Sequence, residues 1–255
     1  AGVDMTTGTN NTLIGGLAGD ALQDDSNNVA VGTNAMTDLQ TDNCVAVGYA
    51  AMNAATTSTR TTAVGRSAFG NAILTGNDNT ALGYQAGYAS TSGAQNTLIG
   101  SQAGDALTTG DNNIIIGYNA AASAVGVDNE ITLGDGNISA FRCADQSIAA
   151  LSDGRDKTDV KNSSYGLEFI NTIRPVEFTW DFRPENMAEA KQGKKRVGFI
   201  AQELQEAMPN SENEILDLVY DINPDRIEAK YGNLIPILVK AVQELSEKVK
   251  ALENK

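Results

Sequence analysis

The 255-residue chain contains no histidine. That absence excludes Ser-His-Asp and Cys-His nucleophilic arrangements and removes the commonest metal ligand, so proton transfer would fall to lysine, carboxylates or tyrosine. Cysteine is nearly as scarce. Cys44 and Cys143 are too few and too separated for a zinc cluster, and each falls within a repeat or just after one, where buried thiols are expected. Aromatic residues make up 5% of the chain against 41% hydrophobic residues overall, which leaves few large core side chains and fits a single conventional globule poorly. No apolar run approaches the roughly 20 residues that span a bilayer, and Ala1 to Asn10 has neither the basic flank nor the apolar stretch of a signal peptide. A net charge of −14 supplies no basic stripe for a phosphate backbone or an anionic membrane, so neither nucleic acid nor membrane insertion is expected.

Basic residues are missing from one part in particular. Residues 1–150 carry only Arg60, Arg66 and Arg142 and no lysine, whereas residues 151–255 carry fifteen basic residues. Two kinds of structure are therefore expected to meet near residue 150.

What the first part does contain is a repeat. Gly15, Gly32, Gly48, Gly65, Gly83, Gly100, Gly117 and Gly134 recur every 16 to 18 residues. An aliphatic residue precedes each (Ile14, Val31, Val47, Val64, Leu82, Ile99, Ile116, Leu133), and alanine follows three later in the first seven copies, from Ala18 to Ala120. Phrases such as NTLIG and NIIIG predict a strand of four or five residues, entered from an Asn turn and broken by Gly. Such strands are too short to stand alone. Stacking them rung on rung, with the aliphatic residues lining the interior, gives a solenoid, and the small Gly and Ala point to close backbone approach. The phrases TGNDN (75–79) and TGDNN (109–113) have calcium-type ligands, but turn chemistry explains them more cheaply and they lack the strict nonapeptide period of calcium-binding rolls. No metal or other cofactor is expected. The threonines hold no constant phase against the anchors, which disfavours an ice-binding face.

The Asn-aliphatic-Gly-x-x-Ala phrase over roughly residues 9–140 resembles the head repeats of trimeric autotransporter adhesins and the repeat shafts of phage tail fibres. In these, three chains wind around one axis.

The second part opens with LSDGRDKTDV, in which Ser152 and Lys157 stand five residues apart. It continues with GLEFINTIRPVEFTW (166–180), RVGFIAQELQEAMP (196–209) and YGNLIPILVKAVQELSEKV (231–249). Pro175 to Trp180 alternates as a strand, and Ala201 to Ala207 reads as a helix ending at Pro209. Ile235, Leu238, Val242, Leu245, Val249 and Leu252 are spaced 3, 4, 3, 4, 3, the a/d seam of a coiled coil, with Lys240, Glu244, Glu247, Lys248 and Lys250 off the seam. A surface helix of a monomer is the alternative, and the strict register with no polar seam residue favours an oligomer.

Taken in order, these four phrases resemble the intramolecular chaperone domain of the S74 peptidase family, found at the C-termini of phage endosialidases, neck appendages and tail fibres. The resemblance implies a mainly β repeat shaft over 1–140 (a trimeric β-solenoid), a connector over 141–151, and a mixed α/β chaperone over 152–255 ending in a coiled coil from about 233 to 254. It implies cleavage between Leu151 and Ser152, with Ser152 as nucleophile, Lys157 as general base of depressed pKa, and Asp153 and Arg155 in support. Burial or the charge of Arg155 would depress the lysine. Some family members also use a histidine, which this chain lacks. The implied partners are two further copies in a homotrimer, upstream fibre or tail proteins, and a host cell-surface receptor, polysaccharide among the candidates. The implied location is a virion tail fibre assembled in the host cytoplasm. Two alternatives stand beside this reading: an adhesin whose C-terminal domain remains as a permanent trimer cap, and a polysaccharide depolymerase, which the thirteen scattered acids of residues 1–150 support weakly.

Overall fold

The computed structural model describes residues 1–144, 149–181, 191–208 and 213–254. The chain divides into two units, the first holding Ala1–Ile138 and the second beginning at Ser139.

The first unit is a parallel β-solenoid. Eight strands, β1 (Thr12–Ile14), β2 (Val29–Val31), β3 (Val45–Val47), β4 (Thr62–Val64), β5 (Thr80–Leu82), β6 (Thr97–Ile99), β7 (Ile114–Ile116) and β8 (Ile131–Leu133), form one sheet in sequence order. Each is three residues long, shorter than the four or five expected, because two left-handed positions bracket it. A residue of positive φ stands two before every strand, Asn10, Asn27, Asn43, Arg60, Asp78, Gln95, Asn112 and Asn129 in turn, and the anchor glycine follows directly. At Gly65 and Gly83 a Cβ would lie 2.3 Å from the carbonyl oxygen of the next anchor, and φ is +136° and +144°, so only glycine fits.

The aliphatic residue before each anchor does not line the interior as expected. Successive strand residues alternate between faces, and it is the middle one that points inward: Ala30, Ala46, Ala63, Ala81, Leu98 and Ile115 are fully buried. Val31, Val47, Val64 and Ile99 are half-buried on the outer face, and Ile14, Leu82, Ile116 and Leu133 are exposed there. Inside, volumes are complementary. Where the strand supplies Ala30, Ala46 or Ala63, the residue six later is Met36, Met52 or Phe69; where it supplies Leu13 or Leu98, that residue is Gly19 or Gly104. At Ala81 the partner is Gly87, and the Phe69 ring from the turn before fills the space. Filling each layer to similar volume is what close packing demands.

A column of buried polar residues runs beside this core. Asn96 Nδ2 donates to Gly110 O at 2.8 Å while its Oδ1 accepts from Asn113 N at 2.9 Å, and Asn28, Asn79 and Asn113 make equivalent bonds. Cys44 and Thr61 interrupt the column. Cys44 Sγ reaches Ser58 O at 3.1 Å, and Ser58 Oγ reaches both Thr61 Oγ1 and Gly76 O. Burial pushes the Cys44 thiol up. Cys143, by contrast, is exposed, because no further turn of the solenoid follows β8 to cover it.

The second unit is small and mixed. It contains α1 (Leu167–Ile170), β9 (Val176–Thr179) paired antiparallel with β10 (Lys195–Gly198), α2 (Ala201–Ala207), α3 (Asn213–Leu216), β11 (Val219–Tyr220) paired antiparallel with β12 (Glu228–Ala229), and α4 (Leu234–Glu253). The expected end of α2 at Pro209 lies outside the described residues; the helix stops at Ala207 with Met208 extended beyond it. Phe169, Leu204, Met208, Leu216, Leu218, Val219, Leu234 and Ile237 make its core. Pro236 is tolerated in α4 because first-turn N–H groups have no intrahelical acceptor. Among the described residues no helix is long and apolar enough to cross a membrane.

Candidate functional site

Ser152 and Lys157 are brought together by a single turn. Asp153 caps the 3-10 turn Gly154–Asp156, accepting from Arg155 N at 2.9 Å, and Lys157 leaves the turn extended, its N–H donating to Gly154 O at 3.4 Å. The reversal carries Lys157 Nζ to 2.6 Å from Ser152 Oγ and 3.5 Å from Ser152 O. The five-residue spacing is thus one hydrogen-bonded loop.

Asp153 and Arg155 face each other rather than the pair. The guanidinium forks onto the carboxylate, Nη2 to Oδ2 at 2.5 Å and Nε to Oδ1 at 3.0 Å, which holds Asp153 below the usual carboxylate range and raises Arg155. The Arg155 charge is therefore countered, not free to bear on Lys157 as expected. Burial is also lacking within the single chain. Every residue from 149 to 164 is exposed, and Leu151, on the other side of the candidate scissile bond, is fully so.

Downstream, α4 presents two different faces. Leu234, Ile237 and Ala241 are buried against the core of the second unit. On the same side Glu244 accepts from Leu167 N at 2.8 Å and pairs with Lys240 at 3.3 Å, so α4 supplies the N-terminal hydrogen bond that Gly166 has no side chain to make. A Cβ at position 166 would stand 2.5 Å from a Glu244 oxygen. The first of these bonds holds the Glu244 carboxyl below its ordinary range. This contact spans 77 residues and had no signal in the sequence, where Glu244 read only as an off-seam charge. The six seam residues Ile235, Leu238, Val242, Leu245, Val249 and Leu252 lie on the other side and are 43–69% exposed.

A parallel solenoid of short rungs joined to a compact α/β unit that ends in a helix with an uncovered apolar seam is the architecture of a repeat shaft with a C-terminal module. One comparison bears on this module: residues 152–211 are similar to the Peptidase S74 family model, described as chaperone of endosialidase. The match begins at Ser152 and takes in the turn to Lys157, α1, β9, β10 and α2. No curated protein and no solved structure matches the chain.

Proposed function

We propose that this chain is the distal part of a trimeric phage tail fibre or tailspike for host attachment, and that its C-terminal module trimerises and folds the shaft and then cuts between Leu151 and Ser152. The observation that carries the reading is the 2.6 Å contact from Lys157 Nζ to Ser152 Oγ, at the residue where the S74 chaperone match begins. As a neutral amine, Nζ takes the Oγ proton. Oγ adds to the Leu151 carbonyl carbon, the C–N bond breaks as the Ser152 nitrogen takes a proton, and water then hydrolyses the ester to a Leu151 carboxylate. The nucleophile and the carbonyl it attacks are covalently joined, so effective molarity is high and no substrate pocket is needed.

Trimeric association is supported by two apolar faces that the single chain leaves uncovered: the α4 seam, and the outward aliphatic row from Ile14 to Leu133. Three chains packed about residues 151–157 would also supply the burial that favours a neutral lysine. Cleavage then reports assembly. A chaperone has a kinetic role here, because in-register pairing of repeats is slow and exposes strand edges meanwhile.

A second reading, an adhesin with a permanent trimer cap, is favoured by the open setting of Ser152 and Lys157. Intact mass of freshly expressed chain, with native mass spectrometry, decides between them. Splitting after Leu151 in a trimer supports the self-cleaving fibre, and a trimer that stays whole on long incubation supports the cap.

A further inference from the structure

The residues that follow the anchor glycines form a row up one edge of the solenoid, with Tyr49, Arg66, Tyr84, Ser101 and Tyr118 on five successive turns and Gly16, Thr33 and Asp135 at its ends. The three tyrosines are 52%, 43% and 68% exposed. Arg66 sits between two of them, its guanidinium carbon 5.6 Å from the Tyr49 ring centroid and 5.9 Å from that of Tyr84. The only other basic residue of the solenoid, Arg60, is spent on Asp78, with Nε to Oδ1 at 2.6 Å. Among the described residues of this acidic unit, Arg66 is the one basic side chain with no carboxylate partner.

We infer that this row binds a carboxylate-bearing polysaccharide, running along the solenoid axis. The inference rests on the attachment role proposed above and gives it a site and a ligand class. Neighbouring strands are ~4.8 Å apart, so tyrosines on alternate turns are spaced by ~9.6 Å, about the length of two linked pyranose rings. Tyrosine offers each sugar an apolar face to stack on and a hydroxyl at its edge. Arginine placed between two rings keeps its fork of N–H donors for a planar carboxylate, the geometry in which it binds best. The charge argument selects an acidic over a neutral glycan, since the rest of the unit would repel an anion and only this point attracts one.

The test uses the full chain with two acidic probes, oligogalacturonate and oligosialic acid, and dextran as the neutral one, read by titration calorimetry. The expected result is binding of at least one acidic oligomer, weakened roughly three- to tenfold by Tyr84→Ala and by Arg66→Gln, with dextran unaffected by the charge change. Native mass and Leu151 cleavage should be unchanged in both variants, which separates this site from the assembly reading. Binding of neither acidic oligomer, or binding indifferent to both substitutions, overturns it. So does a loss of trimer in Tyr84→Ala at unchanged solenoid circular dichroism, which would make the row a contact between copies.

Discussion

Replacing Asn96 by alanine tests the physical account of the solenoid most directly. The side chain is buried and spans two turns: Nδ2 satisfies Gly110 O, and Oδ1 satisfies Asn113 N. Alanine removes both partners at once, leaving one buried carbonyl and one buried N–H with nothing to bond. Each such orphan costs about 1–3 kcal/mol, so the expected destabilisation is about 4 kcal/mol. At about 3 °C per kcal/mol for a unit of this size the midpoint should fall by roughly 10 °C. Thermal and urea unfolding followed by far-ultraviolet circular dichroism give the number. Asn96→Asp is the sharper variant. Its carboxylate still accepts from Asn113 N but meets Gly110 O as a second acceptor, so burial there raises the folded-state pKa above the unfolded one. Protonation supplies the missing donor, so stability relative to wild type should rise as pH falls through the raised folded value toward the ordinary carboxylate value, and level off below it. A midpoint within 2 °C of wild type for Asn96→Ala, or an Asn96→Asp curve parallel to wild type in pH, would refute the column as a structural element.

Ser152→Ala and Lys157→Ala should each leave the chain at full mass while native mass spectrometry still finds three copies; a cut in either variant removes that residue from the proposed chemistry. Val242→Asp and Leu245→Lys place charge on the exposed α4 seam, and sedimentation should shift from trimer to monomer with the circular dichroism of the second unit retained, whereas an unchanged trimer would put the interface elsewhere. Glu244 has a depressed pKa because Leu167 N donates to it, so its contribution is present above the unfolded carboxylate value and is lost as pH falls through the lower folded value. Glu244→Gln should flatten that acid limb of the unfolding curve, and an unaltered limb would show that the bond carries no linkage. Gly83→Ala sets a Cβ 2.3 Å from Gly100 O at φ +144°, and should leave the solenoid largely unfolded at 37 °C by circular dichroism.

The solenoid was legible because its punctuation is backbone chemistry: Gly15 to Gly134 mark a conformation that other residues rarely adopt, and their spacing fixes the rung. Orientation was not. A three-residue strand offers two outward positions and one inward, and the inward one is most often alanine, so hydrophobicity pointed to the wrong face. Ile14 and Leu133 read as core and are exposed; Ala30 and Ala63, which carried no signal of their own, are the core. Their burial becomes sensible only when the residue six later is counted, since Met36 and Phe69 supply the volume that alanine leaves. Asn28, Asn79 and Asn113 read as turn residues, and no local rule says that such a side chain will bond to the next turn of a stack.

At the candidate site the sequence yielded proximity and missed environment. Ser152 and Lys157 meet because a short capped turn lies between them, and Asp153 at its N-cap is a local signal. The expected depression of the lysine, however, needed neighbours that only a folded chain can reveal. The structure turns Arg155 toward Asp153 and leaves the loop in water. In one chain alone the candidate base therefore lies open to solvent. The same chain leaves a heptad seam and an aliphatic sheet face exposed, which further copies would cover on the proposed reading. If one packing event buries both apolar faces and the Leu151–Lys157 loop, cleavage cannot precede assembly. Chains diluted below their association constant should then remain intact for as long as they remain monomeric, and cleavage rate should rise with concentration until trimer saturates. A rate independent of concentration in a sample shown to be monomeric would break the link between the two.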